Sequence, residues 1–294
     1  MNRTKNTAES VTYQKKGQWI SVWRRFKHNR RAVVGLVVVV LFVVVAIFAN
    51  WVAPYDPLEQ NLQSILSPPS QTHIFGTDEF GRDILSRIIY GARISLAVGV
   101  GAILVACLIG CILGSIAGYY GGVLGNLIMR AMDILLSIPS ILLSIAIVAA
   151  LGASVQNLIF VIGVANVPRY VRTMQSAILS VRNQEFVEAS RATGASDFFI
   201  ILKHIVPNCL SPIIVQITLS IGSAILSCAS LSFIGLGVNP PTPEWGAMLS
   251  RGQEYLRTFP HITIFPGLAI MLSVYAFNLM GDGLRDALDP KLKH

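Results

Sequence analysis

Residue types that commonly do chemistry are present in this 294-residue chain, but they are not arranged to do it alone. The four cysteines, Cys107, Cys111, Cys209 and Cys228, lie in or beside apolar runs without zinc-type spacing, which makes them small packing residues. The five histidines, His28, His73, His204, His261 and His294, stand singly, so no metal site is expected. There is no G-x-x-x-x-G-K-[ST] phosphate loop, no nucleophile elbow and no HExxH helix. The expectation is therefore a chain with no catalytic, metal or cofactor-binding residue of its own. Two polar constellations remain. Glu188, Ala189, Ser190, Gly194 and Pro207 belong to a polar interruption between apolar blocks, suited to docking a separate body. Gln216, Ser220, Ser223, Ser227 and Ser230 follow spacings of 4, 3, 4 and 3, so they share one helical face and offer hydrogen bonds along an apolar run.

The elements that position these residues are set by composition. Hydrophobic residues make up 53% of the chain and charged ones 13%, against about 25% charged in soluble domains. A bilayer is therefore the expected solvent. Spanning it takes about 20 helical residues. Six candidate helices follow: Ala32–Val52, Ile94–Tyr119, Ala131–Leu151, Val155–Met174, Leu210–Leu236 and Ile262–Met280. Residues 1–31 carry Arg3, Lys5, Lys15, Lys16, Arg24, Arg25, Lys27, Arg30 and Arg31 against the single acid Glu9, which equals the whole net charge of +8. A basic tail beside an apolar run is a topology signal rather than a nucleic-acid arm. With that tail in the cytoplasm, six crossings put Gly121–Arg130, Arg172–Pro207 and the C-terminus inside too. Only Arg82, Arg87, Arg93, Arg251 and Arg257 are then left to the outside loops.

Each polar feature has two readings. Gly110-x3-Gly114-x3-Gly118 strips side chains from one face of the second helix, for packing within this subunit or against another. The serine stripe of the fifth helix must face protein or water, since unsatisfied polar groups are costly in lipid. It serves either small-residue packing or a translocation path, with Asn278 and Ser273 on the sixth helix as weaker members of that path. No ionisable side chain is expected near the middle of a span, which counts against a proton- or sodium-coupled carrier. Outside, Asp56–Tyr90 holds Asp78, Arg82 and Asp83, and Gly237–His261 holds Pro243 and Trp245. Proline stiffens such loops and an exposed tryptophan is a common interface anchor, so both suit contact with a partner or closure over the chain's own helix ends.

Asn183–Thr193 reads as a short helix. Glu188 lies near its start, where the dipole favours an acid, and Gly194 stands where a left-handed residue would end it. Pro207 blocks uninterrupted continuation into the fifth helix. The segment resembles the EAA loop of membrane subunits of binding-protein-dependent ABC importers: Glu-Ala-Ala, three residues, Gly, then Ile-x-Leu-Pro. Glu188, Ala189, Gly194 and Pro207 match in register, whereas Ser190, His204 and Val206 depart from it. More of the chain resembles the C-type subunit of dipeptide and oligopeptide permeases. The matching stretches are residues 49–55, GTDEFGRDILS at Gly76–Ser86, Tyr90–Leu96, Pro240–Gly246 and NLMGDGLRDALDPKL at Asn278–Leu292.

That resemblance implies an all-α integral membrane protein of six helices, a type I importer permease (MetI-like) bundle with a cytoplasmic coupling helix. Its organisation would be a basic tail at 1–31, a first helix and long outer loop at 32–93, a five-helix core at 94–283 with the coupling loop at 183–207, and a C-terminal tail at 284–294. The implied partners are a B-type permease subunit, two cytoplasmic ATPases carrying ATP and Mg, an extracytoplasmic peptide-binding protein, peptide cargo and membrane lipid, with no nucleic acid. ATPase coupling falls to Glu188, Ala189, Ser190, Gly194 and Pro207. The path falls to the helix-five stripe with Asn278, and binding-protein contact to Asp78, Arg82, Asp83, Pro243 and Trp245. Rival readings are the same architecture for glutathione, nickel chelates, haem or opines, and an ATP-independent channel.

Overall fold

Helices account for the regular structure among residues 20–288, the residues that this computed structural model describes, with one isolated bridge joining Thr77 to Asp83. Residues 1–19 and 289–294, parts of the expected tails, lie outside the described residues. The elements are α1 (20–28), α2 (Arg30–Ile47), α3 (Ala49–Val52), α4 (Ile84–Tyr120), α5 (Gly122–Ser137), α6 (Ser140–Leu151), α7 (Val155–Val181), α8 (Glu185–Ala192), α9 (Asp197–Ile200), α10 (Leu210–Phe233), α11 (Trp245–Gly252) and α12 (His261–Leu288).

Four helices, α2, α4, α10 and α12, are long and apolar enough to cross a membrane. A fifth span is reached if α5 and α6 count as one, and these two meet at 89°. The continuous third helix expected over Ala131–Leu151 is thus corrected to a broken one. Pro139 supplies no N–H and pushes the preceding residue out of helical geometry, and Ile138 sits at φ −94, ψ 126. The expected fourth helix, Val155–Met174, instead runs on to Val181 with Pro168 inside it. It is long enough to cross, but Asn166, Arg169 and Arg172 keep it out of the apolar class. The second helix begins ten residues earlier than expected because Asp83 caps it, accepting from the Ser86 N–H. Arg87 and Arg93 are therefore helical rather than loop residues. The sixth extends through Leu288, so the start of the expected C-terminal tail is helix. The basic tail is likewise helical from residue 20, with Phe26 buried against Ala32 and Ala287.

The core forms where α4, α7 and α10 meet, around Ile103, Leu158, Ile162, Tyr170 and Ile225. The three spaced glycines of α4 all face α7. A methyl group on Gly110 would collide with Tyr170, one on Gly114 would come 2.7 Å from the Val171 carbonyl, and one on Gly118 2.9 Å from Ile178. Of the two readings of this seam, packing within the subunit is the one observed. Outward-facing Val37, Leu41, Leu104, Leu108 and Met271 stay exposed, as lipid-facing residues do. Phe26 against Ala287, and Thr173, Gln216 and Arg285 lining one depression, put both described termini at the bundle end that carries α8.

Candidate functional site

The segment expected to dock a partner is a short helix, α8, held to the bundle by one buried side chain and by Arg191 against Tyr119. Val187 is the single buried residue of α8, fully enclosed with Tyr119, Met174, Ile178 and Ile205. Glu185 and Glu188 occupy its first turn, where the helix dipole favours them, and both are exposed. Gly194 has φ +80 and ends the helix as the sequence predicts. Its N–H donates to the Arg191 carbonyl at 2.9 Å, and the Ala195 N–H donates to Ser190 at 3.2 Å, a paired C-terminal cap. The Tyr119 hydroxyl donates to Asp197 at 2.6 Å, and the Arg191 guanidinium lies 5.2 Å from the Tyr119 ring, pinning the following turn. The chain then passes through a π-helical turn at Ile201–Ile205 and a 3-10 turn at Val206–Asn208 containing Pro207. What this leaves outward is an acidic helix flanked by Phe186, Phe199, Leu202 and Phe198, the last 73% exposed. Exposed aromatic and aliphatic residues beside charge, on a rigid knob, form a surface that fits a socket.

The helix-five stripe is a single face but not a single channel. Ser223, Ser227 and Ser230 each donate to a carbonyl of their own helix at 2.8–2.9 Å, and Gln216 donates to Ser220, which is fully buried. The hydroxyls are thus satisfied without a ligand. Gln216 lines a depression of about 420 Å³ at the α8 end. Ser223 and Ser227 line a polar cavity of about 290 Å³ beside the α5–α6 bend. Ser230 and Asn278 line an apolar groove of about 780 Å³ between α6, α10, α11 and α12. Ser273 is buried and donates to Ile270 at 2.8 Å.

At the opposite end the five residues expected to meet a binding protein turn inward. Trp245 is 0% exposed and its Nε1–H donates to the Ile88 carbonyl at 3.0 Å, so the exposed tryptophan expected from the sequence is corrected to a core anchor. Pro243 is buried beside it, and the buried Glu244 carboxylate accepts from the Gly246 and Ala247 N–H groups and from Ser95. Asp78, Arg82 and Asp83 are buried too. Asp78 accepts from Arg82 Nε at 2.7 Å and faces Arg87 Nε at 3.4 Å, while Asp83 pairs with His73 at 3.0 Å. Glu79 reaches Arg251 of α11 at 3.3 Å, tying the two outer segments together. The exposed residues of these two outer segments include Leu62, Asn239 and Pro240.

Two functional candidates escaped the sequence reading. Val187, the buried point of attachment, carries no signal in the sequence beyond being apolar. Arg169 lies five residues before the expected helix end at Met174, but because the helix runs on to Val181 it stands near the middle of α7, roughly 21 Å from one end and 18 Å from the other at 1.5 Å per residue. It lines the polar cavity with Asn166. Its side chain is exposed, on a helix that is not among the four apolar spans.

Known proteins place this architecture. Residues 110–294 match the model of the binding-protein-dependent transport system inner membrane component, and residues 17–69 match the N-terminal transmembrane domain of oligopeptide transport permease C. The di/tripeptide transport system permease protein DppC of Pseudomonas aeruginosa is 49% identical over 92% of this chain and 92% of its own length. The glutathione transport system permease protein GsiD of Escherichia coli O6:K15:H31 is 48% identical over 94% and 91%. A chain of the MetNI methionine ABC transporter in an inward-facing conformation superposes with a TM-score of 0.58 at 20% identity, over 70% of this chain and 98% of that one. The match over more than half of the chain and the identity to these permeases show that this chain belongs to the family of binding-protein-dependent transport system inner membrane components, as a multi-pass permease subunit of the inner membrane.

Proposed function

We propose that this chain is the C-type half of a heterodimeric ABC importer pore that passes dipeptides or short peptides delivered by an extracytoplasmic binding protein. A B-type permease subunit completes the pore. Two cytoplasmic ATPases hold ATP and Mg and grip the α8 knob, with the termini on their side of the membrane. The observation that carries the reading is α8 itself: an exposed acidic and aromatic surface, ended by Gly194 in a left-handed conformation and rooted in the bundle through Val187. Such a knob converts motion of a docked body into movement of α7, whose end lies four residues before α8 begins. The identity to DppC supports peptide cargo, and the nearly equal identity to GsiD supports glutathione as the second reading.

The test is affinity purification of the tagged chain, expressed with its partners, from solubilised membranes. Phosphate-loop ATPases should copurify with the wild type and be lost from the Glu188→Lys/Gly194→Asp variant. A wild-type chain emerging alone, in a detergent that preserves a known importer, would remove the assignment. Competition between a labelled dipeptide and glutathione for ATP-driven uptake then separates the two cargoes.

A further inference from the structure

The polar cavity beside the α5–α6 bend is lined by an arginine that has no ion-pair partner among the described residues. Three arginines lie on α7 or at its C-terminal end. Arg172 donates to Asp133 at 2.7 Å, and Arg182 donates to the Gly118 carbonyl at 2.9 Å. The Arg169 guanidinium has no acceptor among the described residues, and no aspartate or glutamate lines the cavity. A second source of positive potential opens into the same space. Helix α6 starts at Ser140 behind Pro139 with no side-chain cap, leaving first-turn N–H groups unsatisfied at the cavity wall. Asn166, Ser144, Ser223 and Ser227 complete the polar lining, and each already donates to a carbonyl of its own helix, at 2.8–2.9 Å. The Arg169 side chain is exposed midway along α7, and a cation within a membrane is costly unless it faces water or an anion. At about 290 Å³ the cavity admits a carboxylate with its neighbouring atoms.

We infer that this cavity is an anion subsite in which Arg169 and the α6 N-terminus receive the carboxylate of the cargo as it passes. The assignment rests on the importer reading above and adds to it the group of the cargo that is recognised and the residue that recognises it. Arg169 donates to both carboxylate oxygens in a fork geometry that lysine matches only as a point charge. The α6 dipole adds attraction from the other wall, and the absence of an acid keeps the anion from being expelled.

The experiment uses the complete transporter in liposomes, with Arg169→Gln and Arg169→Lys beside the wild type. The first readout is electrostatic and independent of cargo. Ser227→Cys, in a background without the four native cysteines, is labelled with anionic sulfonatoethyl and cationic trimethylammonioethyl methanethiosulfonate. The anionic reagent should be favoured, and the preference should drop about tenfold or more in Arg169→Gln, as expected for loss of one charge-assisted contact. The second readout is ATP-driven uptake of radiolabelled alanyl-alanine. It should fall about tenfold or more in Arg169→Gln and recover to within about threefold in Arg169→Lys, while ATPase stimulation by the loaded binding protein persists. An unchanged reagent preference in Arg169→Gln overturns the subsite whatever the cargo proves to be. An uptake defect confined to liposomes rich in anionic lipid assigns the cavity to a lipid phosphate and overturns the cargo reading. Failure of the wild type to take up any peptide or glutathione defeats the importer reading instead, and the reagent preference still decides the anion site.

Discussion

Substitution of Val187 by alanine isolates the mechanical root of the coupling helix. Val187 is the one side chain of α8 that is buried, enclosed by Tyr119, Met174, Ile178 and Ile205. Removing its two methyl groups forfeits about 1.6 kcal/mol of transfer free energy. An incompletely filled cavity brings the total to about 2 kcal/mol. At 1.4 kcal/mol per decade, the ratio of detached to docked α8 rises roughly 15- to 30-fold. The remaining ties to α4, the exposed Arg191 guanidinium over the Tyr119 ring and the Tyr119–Asp197 hydrogen bond, are unchanged by the substitution, and the paired cap at Gly194 holds the loop's shape. Hydrogen exchange of the purified chain should therefore accelerate by that factor across amides 187–195, leaving α4 and α10 unchanged. Phe198→Ala is the counterpart. At 73% exposure it contributes nothing to the isolated chain, so exchange stays at the wild-type rate while ATPase capture weakens. Exchange in Val187→Ala that differs from wild type by less than about threefold would refute the picture of Val187 as the main anchor, because about 2 kcal/mol cannot be lost there without opening α8.

Three further outcomes follow from the packing. Gly110→Ala drives a methyl group into Tyr170 and should cost about 1–3 kcal/mol, whereas Gly267→Ala, 3.7 Å from its nearest neighbour in α12, should be neutral or stabilise by up to about 1 kcal/mol. Thermal unfolding in detergent reports both, and the reverse order would contradict the glycine seam. Asp78→Ala removes the nearest carboxylate from buried Arg82 and Arg87, leaving them Glu79 at 3.4 Å and the Pro57 carbonyl at 3.0 Å, and should cost about 3 kcal/mol, while Arg251→Ala, at a half-buried pair, should cost about 1 kcal/mol or less. Equal losses of melting temperature would deny the outer loop its buried ionic core. Trp245→Phe leaves the Ile88 carbonyl without its indole donor and should cost about 1–3 kcal/mol, and unchanged stability would mean that the bond at 3.0 Å contributes nothing.

The legible parts of the sequence were those set by local rules. Gly194 reads as a left-handed helix end because few other residues accept φ +80 without strain, and the structure puts it there. The small-residue face of α4 reads as a close approach, though only the fold could say that the approaching helix is α7. The bend at Pro139 was available from the pre-proline rule and was hidden by the apolar run on either side. Trp245 could not be placed, since an amphipathic ring beside prolines serves a docking surface or a core equally well. On α7 the apolar run stops at Pro168 while the helix continues to Val181 through exposed Arg169, Arg172, Ser176 and Ser180, so its true end is not legible from hydropathy.

That mismatch on α7 ties the two halves of the site together. The helix is a 27-residue rod seamed to α4 by three glycines, and close-packed elements move as units rather than bending continuously. Its Val181 end leads in four residues to α8, and Arg182 fastens that end to the Gly118 carbonyl of α4. Arg169 stands halfway along the same rod, on the wall of the cavity at the α5–α6 break. A displacement imposed at α8 therefore reaches Arg169 through one rigid element. The opposite wall of the cavity, α6, meets α5 at an 89° break and is tied to the start of α7, where Asn157 donates to the Leu151 carbonyl at 2.9 Å. A displacement that tilts α7 about that tie changes the distance from Arg169 to the α6 N-terminus. Hydrolysis on a partner would by this route change the affinity of the cavity for an anion without any nucleotide-binding residue on this chain. The prediction peculiar to this linkage is that Val187→Ala, which loosens α8 alone, also weakens the dependence of the Ser227→Cys reagent preference on added ATP. A preference still fully ATP-dependent in that variant would show that motion reaches the cavity by another route.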